Sequence, residues 1–427
     1  MKLDLSEFAK PCACGREHAI SVKEIILEAG ALRRIPALLE QYGYRQPVVL
    51  CDENTLEAAG RAVRGLLPES GLIVLNPENL HANEHGVTMA EEGLAVCPEP
   101  DVLLAVGSGT VHDITRYIAH KRGLPFVSVP TAASVDGFVS TVAAMTWHGC
   151  KKTFPAVAPS LVVADTDVFS RAPQRLNASG FSDLLGKYTA LADWKIARAV
   201  TGEYLCDRVC ALEYDALRIV CAQPEAIRAG GAEACEQLMY ALLLSGLAMQ
   251  MVGNSRPASG AEHHMSHLWE MEAINGRVDY YHGEKVSVGL VLASGVYHRA
   301  AEEIRKGAFT LREGMDIETA LLEKSFPDKA MLAEILDEND PNPLAGVTPD
   351  AIRRALPDIL RAVDEIPSPQ ELTDLLTRAG AVKSLAEIGL PDAMLAPAAR
   401  LSPYVRARLT FMRLLKLFDF PRDIYAL

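Results

Sequence analysis

The sequence is short of positive charge and of long apolar runs. Its 42 Lys and Arg are outnumbered by 55 Asp and Glu, a formal net charge of −13. A nucleic-acid surface needs a basic footprint, so no nucleic-acid partner is expected. A small anionic ligand stays open, because a local cluster can oppose the global sign. The longest apolar stretch, Tyr240 to Gly253, falls short of the about 20 residues that span a bilayer and reads as a buried helix. The opening MKLDLSEFAKPCACG carries charges throughout and lacks the core of a signal peptide. Nine cysteines, an odd number scattered from Cys12 to Cys235, suit a reducing compartment better than a disulfide framework. A cytoplasmic chain with no membrane span is the expectation. With 49% hydrophobic and 23% charged residues, and neither repeats nor low-complexity tracts, the chain is globular. At about 150 residues per domain, its length allows two or three.

Up to residue 168, short apolar runs alternate with helical patterns. The runs are 24–27, 47–51, 71–76, 101–107, 125–130 and 161–165, near-continuous in Val, Ile and Leu. Such runs suit strands buried on both faces of a parallel sheet, and the alternation with helices predicts a Rossmann-like α/β domain. Residues 139–158 read as a hairpin with its turn near His148 and Gly149. Beyond residue 168 the strand-like runs stop and apolar residues recur at helical spacing, for example over 182–200, 233–251 and 405–418. The reading is therefore a dinucleotide-binding α/β domain over 1–168 with a mostly parallel sheet. An all-α domain for metal and substrate follows over 169–427.

LLAVGSGTVHDITRY places a glycine turn between a buried strand and a helix. Gly107 and Gly109 give the backbone its freedom, and a helix starting near Thr110 points amides at a phosphate. The dinucleotide fingerprint wants a third glycine where His112 stands, so the motif alone is weak, and its plain alternative is a tight strand-to-helix turn. Context favours a nucleotide. Asp52 follows an upstream strand and can accept from a ribose hydroxyl, while Thr131, Ser134, Asp136 and Ser140 crowd the loop after the next strand. Singly, each is also ordinary turn and cap chemistry.

In the helical half, PASGAEHHMSHLWE carries His263, His264 and His267, and His282 follows in VDYYHGEKVSVG. His263 and His267 share a helix face. Four of only 11 histidines fall within 263–282, a density that a solvated helix face does not explain. Asp183, in SGFSDLLGKYTA, stands where Ser182 or a neighbour would cap a helix, and taken alone it is a helix-terminus charge. One carboxylate with two imidazoles leaves positions open on a divalent ion, as a catalytic metal requires.

GSGTVHD, PTAASVDGFVS, GFSDLLGK, SGAEHHMSHLWE and YYHGEKVSVG, in this order over about residues 20–290, resemble the motif series of the sn-glycerol-1-phosphate dehydrogenases. These belong to the iron-containing alcohol dehydrogenase and dehydroquinate synthase superfamily, and EHHMSHLWEM is similar to the bacterial, AraM-like branch. The resemblance implies a dehydroquinate synthase-like fold and metal-dependent reduction of dihydroxyacetone phosphate, a phosphorylated triose, by NADH or NADPH. It implies Asp183, His263 and His282 as ligands of one divalent ion, zinc or nickel ahead of iron. It implies Asp136, His267 and Asp183 against the substrate, with His267 and Asp183 catalytic. Gly107, Gly109, Thr110, Val111, His112, Asp113, Asp52, Thr131, Ser134 and Ser140 match dinucleotide contacts. A homo-oligomer, with a dimer favoured, and a place in glycerophospholipid-type synthesis complete the expectation. His264 lies about 100° round the helix from His263 and is left out.

Lys151, Lys152 and Lys187 are candidates for the substrate phosphate, though exposed lysines also simply solvate a surface. At the N-terminus, Cys12, Cys14 and His18 fall short of the four ligands and CxxC-like spacing of a zinc site and read as a structural loop. A glycerol or other alcohol dehydrogenase on the same scaffold, acting on an unphosphorylated substrate, is a competing reading, and so is a binding protein that kept the nucleotide fold without chemistry.

Overall fold

The computed structural model describes residues 3–314 and 317–426. The chain forms two compact units. The first comprises Met1–Trp147, Lys152–Leu184 and Ala211–Asn254, and the second His148–Lys151, Leu185–Cys210 and Ser255–Leu427.

The first unit is built on a six-stranded sheet. In chain order its strands are β1 (Glu24–Glu28), β2 (Pro47–Asp52), β3 (Gly71–Leu75), β4 (Val102–Gly107), β5 (Phe126–Pro130) and, after an intervening ribbon, β8 (Leu161–Asp165). The ribbon is β6 (Val142–Trp147) with β7 (Cys150–Pro155), and both residues of its turn, His148 and Gly149, take positive φ. Every pairing in the six-stranded sheet is parallel, and the spatial order is β1-β8-β5-β4-β2-β3. From the middle, β2 to β3 steps one way and β4 to β5 to β8 the other. The reversal falls between β2 and β4, where an open parallel sheet offers a crevice at its carboxyl edge.

All six residues of β4 are buried. Val102, Leu104 and Val106 enter one apolar core with Val49, Val127 and Val163, while Leu103 and Ala105 enter another with Val48, Leu50 and Phe126. A strand covered on both faces therefore reads as a continuous apolar run, with no polar alternation. On the second core lies α1 (Gly109–Arg122), which contributes Val111, Ile114 and Ile118. The apolar helix α2 (Ala232–Val252) also belongs to this unit. It is long and apolar enough by composition to cross a membrane, yet 78% of its most apolar window is buried. Its Gly246 lies so close to Val139 that a Cβ would stand 2.3 Å from Val139 Cγ2.

The second unit is mainly helical. It includes α3 (Ala261–Glu270), α4 (His282–Arg305) and α5 (Pro349–Asp364), packed through Trp269, Val296, Ile352, Ile359 and Phe411. It is not wholly helical, because β9 (Thr310–Leu311) pairs antiparallel with β10 (Phe418–Asp419).

Two helix expectations need correction. Residues 182–200 do not form one helix: one ends at Leu185 and the next starts at Lys187. Asp183 thus sits in the last turn of Gln174–Leu185, not at a helix start. Residues 405–418 hold the turn Phe411–Leu414, a 3-10 turn after it and then Phe418, the first residue of β10. There the Thr410 hydroxyl accepts from Arg413 N–H (3.1 Å), and Arg406 and Arg408 donate to the carbonyls of Lys151 and Ser259. Side-chain bonding of this kind outcompetes the helix that the apolar spacing suggested.

Candidate active site

At the carboxyl edge of the sheet, β4 ends in Gly107 and α1 begins two residues later. A Cβ on Gly107 would stand 2.6 Å from Val111 Cβ, so only glycine lets helix and strand meet this closely. Thr131 N–H donates to the Gly107 carbonyl (3.0 Å), tying the next loop to the turn. The structure therefore assembles Gly107, Gly109 and Thr110 beside Thr131, with Asp52 ending the neighbouring strand. Asp52 is the N-cap of Glu53–Thr55, and its Oδ1 accepts from Thr55 N–H at 2.8 Å. That bond leaves Oδ2 for a ligand. Ser134 is buried and its hydroxyl has no protein partner among the described residues, whereas the Ser140 hydroxyl is engaged with Val142.

His112 faces inward. Its Nδ1–H donates to the Ser108 carbonyl (2.9 Å), so Nε2 accepts from the Ser128 hydroxyl (2.8 Å). Burial pushes its pKa down to about 3, and the ring stays neutral. Val111 packs in the core. Asp113 pairs with Arg116 at 2.8 Å. Arg116 is 1% exposed and donates to the carbonyls of Gly137, Phe138 and Val142. No motif in the sequence points to this residue, which fastens the loop carrying Asp136 and Ser140 to α1. The loop is also held from below, where Asp136 N–H donates to Asp183 Oδ2 (2.9 Å) and Asp136 Oδ2 accepts from Ser245 (3.0 Å). Asp183 is fully buried near the C-terminal end of its helix, where the macrodipole disfavours an anion. A stabilising end charge is thus no explanation for it.

In the second unit, α3 and α4 come into backbone contact. A Cβ on Gly289 of α4 would lie 2.5 Å from the Glu262 carbonyl oxygen of α3. That approach brings three imidazoles together. Ring centroids are 5.1 Å apart for His263 and His282, 6.0 Å for His263 and His267, and 5.7 Å for His267 and His282. His263 and His267 are buried, and His282 is about a quarter exposed.

Two glutamates with no signal of their own in the sequence orient these rings. Glu262 is fully buried and accepts from His263 Nδ1–H at 2.7 Å, from Gly260 N–H at 2.6 Å and from the Thr189 hydroxyl. Burial pushes its carboxyl up, but the hydrogen bonds from His263, Thr189 and Gly260 outweigh this and hold it below its ordinary range. Glu270 stands 3.3 Å from His282 Nδ1, with Lys151 at 3.0 Å and Lys285 at 3.2 Å. Burial opposes its charge as well, and those three neighbours overcome it to hold the carboxyl well below its ordinary range. Each Nδ1 is thereby turned to a carboxylate, which puts the lone pair on Nε2, the arrangement that prepares an imidazole for a metal. Glu270, His267 and His282 donors also lie within 4.8 Å of one another. With two lysines on it, Glu270 is better matched to orienting His282 than to ligation. Burial is the largest influence on His267 and keeps it neutral well below its usual pKa, with Arg406 and Lys151 adding to the effect and Glu270 opposing it. His264 is fully buried and likewise held low by burial and by Arg408, Arg406, Arg413 and Arg256.

A doubly wound sheet with a glycine turn, and a helical part with carboxylate-backed imidazoles, define the class: an NAD(P)-dependent dehydrogenase of the iron-containing alcohol dehydrogenase type. Residues 26–173 match the family described as iron-containing alcohol dehydrogenase. The fold is similar to that of glycerol dehydrogenase from Schizosaccharomyces pombe, with a TM-score of 0.53 and 21% identity over 92% of this chain and 96% of that one. Curated relatives narrow the class. Glycerol-1-phosphate dehydrogenase (NAD(P)+) of Halalkalibacterium halodurans is 34% identical over 95% of both chains. That of Bacillus licheniformis is 40% identical over 67% of this chain and 73% of its own length. The chain belongs to the glycerol-1-phosphate dehydrogenase family.

Proposed function

We propose that the chain reduces dihydroxyacetone phosphate to sn-glycerol 1-phosphate with NADH or NADPH, in the cytoplasm and ahead of glycerophospholipid-type synthesis. The observation that carries this reading, beside the family, is the pair of imidazoles His263 and His282, each backed through Nδ1 by a glutamate. Such a donor pair, joined by the Asp183 carboxylate, suits one divalent ion, zinc or nickel ahead of iron. When bound, that ion supplies Lewis-acid polarisation of a carbonyl.

The remaining work falls to the chain. Amides at the start of α1, over 109–111, receive the pyrophosphate, while the His112 N–H is engaged with the Ser108 carbonyl; Asp52 accepts from a ribose hydroxyl, and Thr131, Ser134 and Ser140 line the same crevice. An anionic Asp52 repels a 2′-phosphate, which favours NAD. Asp136 and His267 orient the triose. Held neutral, His267 works as a relay, giving its N–H proton to the forming alkoxide while its other ring nitrogen takes one from water, or it orients a water that gives the proton. Arg406, whose Nη1 donates to the Lys151 carbonyl at 2.6 Å, and Lys151 supply positive charge beside His267 for the phosphate. Dinucleotide binding is assigned to residues 1–168 and metal and substrate binding to 169–427, in a homodimer.

The test is a chiral assay of the product from dihydroxyacetone phosphate with each nicotinamide and defined metals, run beside unphosphorylated dihydroxyacetone. Equal or faster turnover of dihydroxyacetone would overturn the assignment in favour of a polyol dehydrogenase. His263→Ala should lose metal retention and turnover together.

A further inference from the structure

A loop near the start of the described chain gathers soft ligands that take no part in the reaction above. Cys12, Cys14 and His18 lie in PCACGREH, and their ligand atoms are all within 4.8 Å of one another. The turn between them depends on Gly15, which takes φ +78° and donates its N–H to the Cys12 carbonyl at 3.2 Å. Cys14 Sγ stands 3.4 Å from His18 Nε2. Neither cysteine is in a disulfide.

The histidine is prepared from behind. His18 is 2% exposed, and its Nδ1 lies 2.7 Å from the carbonyl of Met251. A carbonyl only accepts, so Nδ1 carries the proton and Nε2 presents its lone pair towards the thiols. Met251 is in the last turn of α2, where carbonyls lack partners within the helix. This is the geometry of a metal-bound histidine, with a main-chain carbonyl as the orienting group. A lone Cys14 S–H···Nε2 hydrogen bond would account for one thiol. The Cys12 Sγ also lies within 4.8 Å of both the Cys14 Sγ and a ring nitrogen of His18.

We propose that Cys12, Cys14 and His18 hold a structural zinc ion, with the fourth ligand drawn from the seven remaining cysteines. Two thiolates and an imidazole select a soft or borderline ion over magnesium or calcium. Binding deprotonates both thiols and clips the N-terminal arm to the end of α2, next to the bond from Ser21 N–H to Gln250 Oε1 (2.8 Å). The site is chemically distinct from the imidazole and carboxylate set proposed for catalysis, and it stands whether or not that assignment holds.

The decisive measurement uses the full chain purified under reducing conditions. Metal analysis should find two equivalents per chain, and Cys12→Ser/Cys14→Ser should keep one. Asp183→Asn should lose only the other. Cobalt-substituted wild-type protein should show the intense near-ultraviolet thiolate-to-cobalt absorption, and the double variant should lack it. Replacing the other seven cysteines singly should identify one whose loss weakens that band. Absence of the band in the wild-type protein would overturn the proposal even if the double variant fails to fold. Retention of both equivalents by a folded double variant would overturn it too, as would a Cys12–Cys14 disulfide in the reduced preparation.

Discussion

Replacing Glu262 by Gln isolates the electrostatic part of the imidazole arrangement. Glu262 Oε1 accepts from Gly260 N–H and His263 Nδ1–H, and Oε2 accepts from the Thr189 hydroxyl. A glutamine oxygen has two lone pairs and keeps the first two donors. Its amide then faces Thr189, which turns its proton to the Gly186 carbonyl, already 3.1 Å away, and accepts instead. Every partner stays satisfied, so the fold survives and only the charge behind His263 disappears. Losing such an outer partner weakens metal affinity about 10- to 100-fold, or roughly 1.4–2.7 kcal/mol. Competition with a chromophoric chelator at pH 7.5 measures this directly. Affinity within about twofold of wild type, roughly 0.4 kcal/mol, would refute the orienting role. A second readout lies in Asp193, whose carboxyl is pushed up to about 7 by burial and then by the Glu262 charge. A raised carboxyl binds more protons folded than unfolded, so its contribution to stability falls as pH rises from about 4 to about 7 and is level above that. In the Glu262→Gln protein the Asp193 pKa drops, and urea unfolding of the metal-free protein should lose stability less steeply across that window.

Three further outcomes follow from the packing and the charges. Gly289→Ala drives a methyl against the Glu262 carbonyl oxygen and should cost about 1–3 kcal/mol in urea unfolding. It should weaken metal binding in the same samples, and unchanged metal binding would separate the helix contact from the imidazole pair. Arg116→Ala strips the donor from three carbonyls of the loop over 137–142 and should cost about 3 kcal/mol or more while raising KM for the nicotinamide. A loss below about 1 kcal/mol would show that the loop holds itself. Arg406→Ala should raise KM for dihydroxyacetone phosphate about tenfold or more and leave KM for dihydroxyacetone nearly unchanged. Equal effects on both would remove Arg406 from the phosphate.

The sheet was legible because burial on both faces writes each strand as an apolar run, and all six run within one or two residues of expectation. The hairpin turn was legible because His148 and Gly149 suit positive φ. The break at Gly186 was not, since that glycine keeps helical angles (φ −53°, ψ −23°) and only the hydrogen-bond pattern changes. The helix expected over 405–418 failed for a different reason: its arginines bond to distant carbonyls, which no local periodicity records. Among the site residues, His263 and His282 announced themselves by density. Glu262 and Glu270 lay in the same quoted motif, but an acidic neighbour of a histidine is common on any helix face. What distinguishes them is an acceptor aimed at Nδ1, joined in Glu262 by complete burial. Arg116 left no signal beyond its spacing of three from Asp113.

The apolar helix α2 has a consequence for how the chain is made. Leaving a ribosome alone, residues 232–252 would present a segment apolar enough to be taken up by a membrane or another exposed chain. Its shelter in the first unit comes from residues before it, including β1 and the turn around Val139. Synthesis from the N-terminus therefore delivers the sheet before the segment it must cover. Moving the helix ahead of the sheet by circular permutation should keep the native contacts and lower the yield of soluble protein.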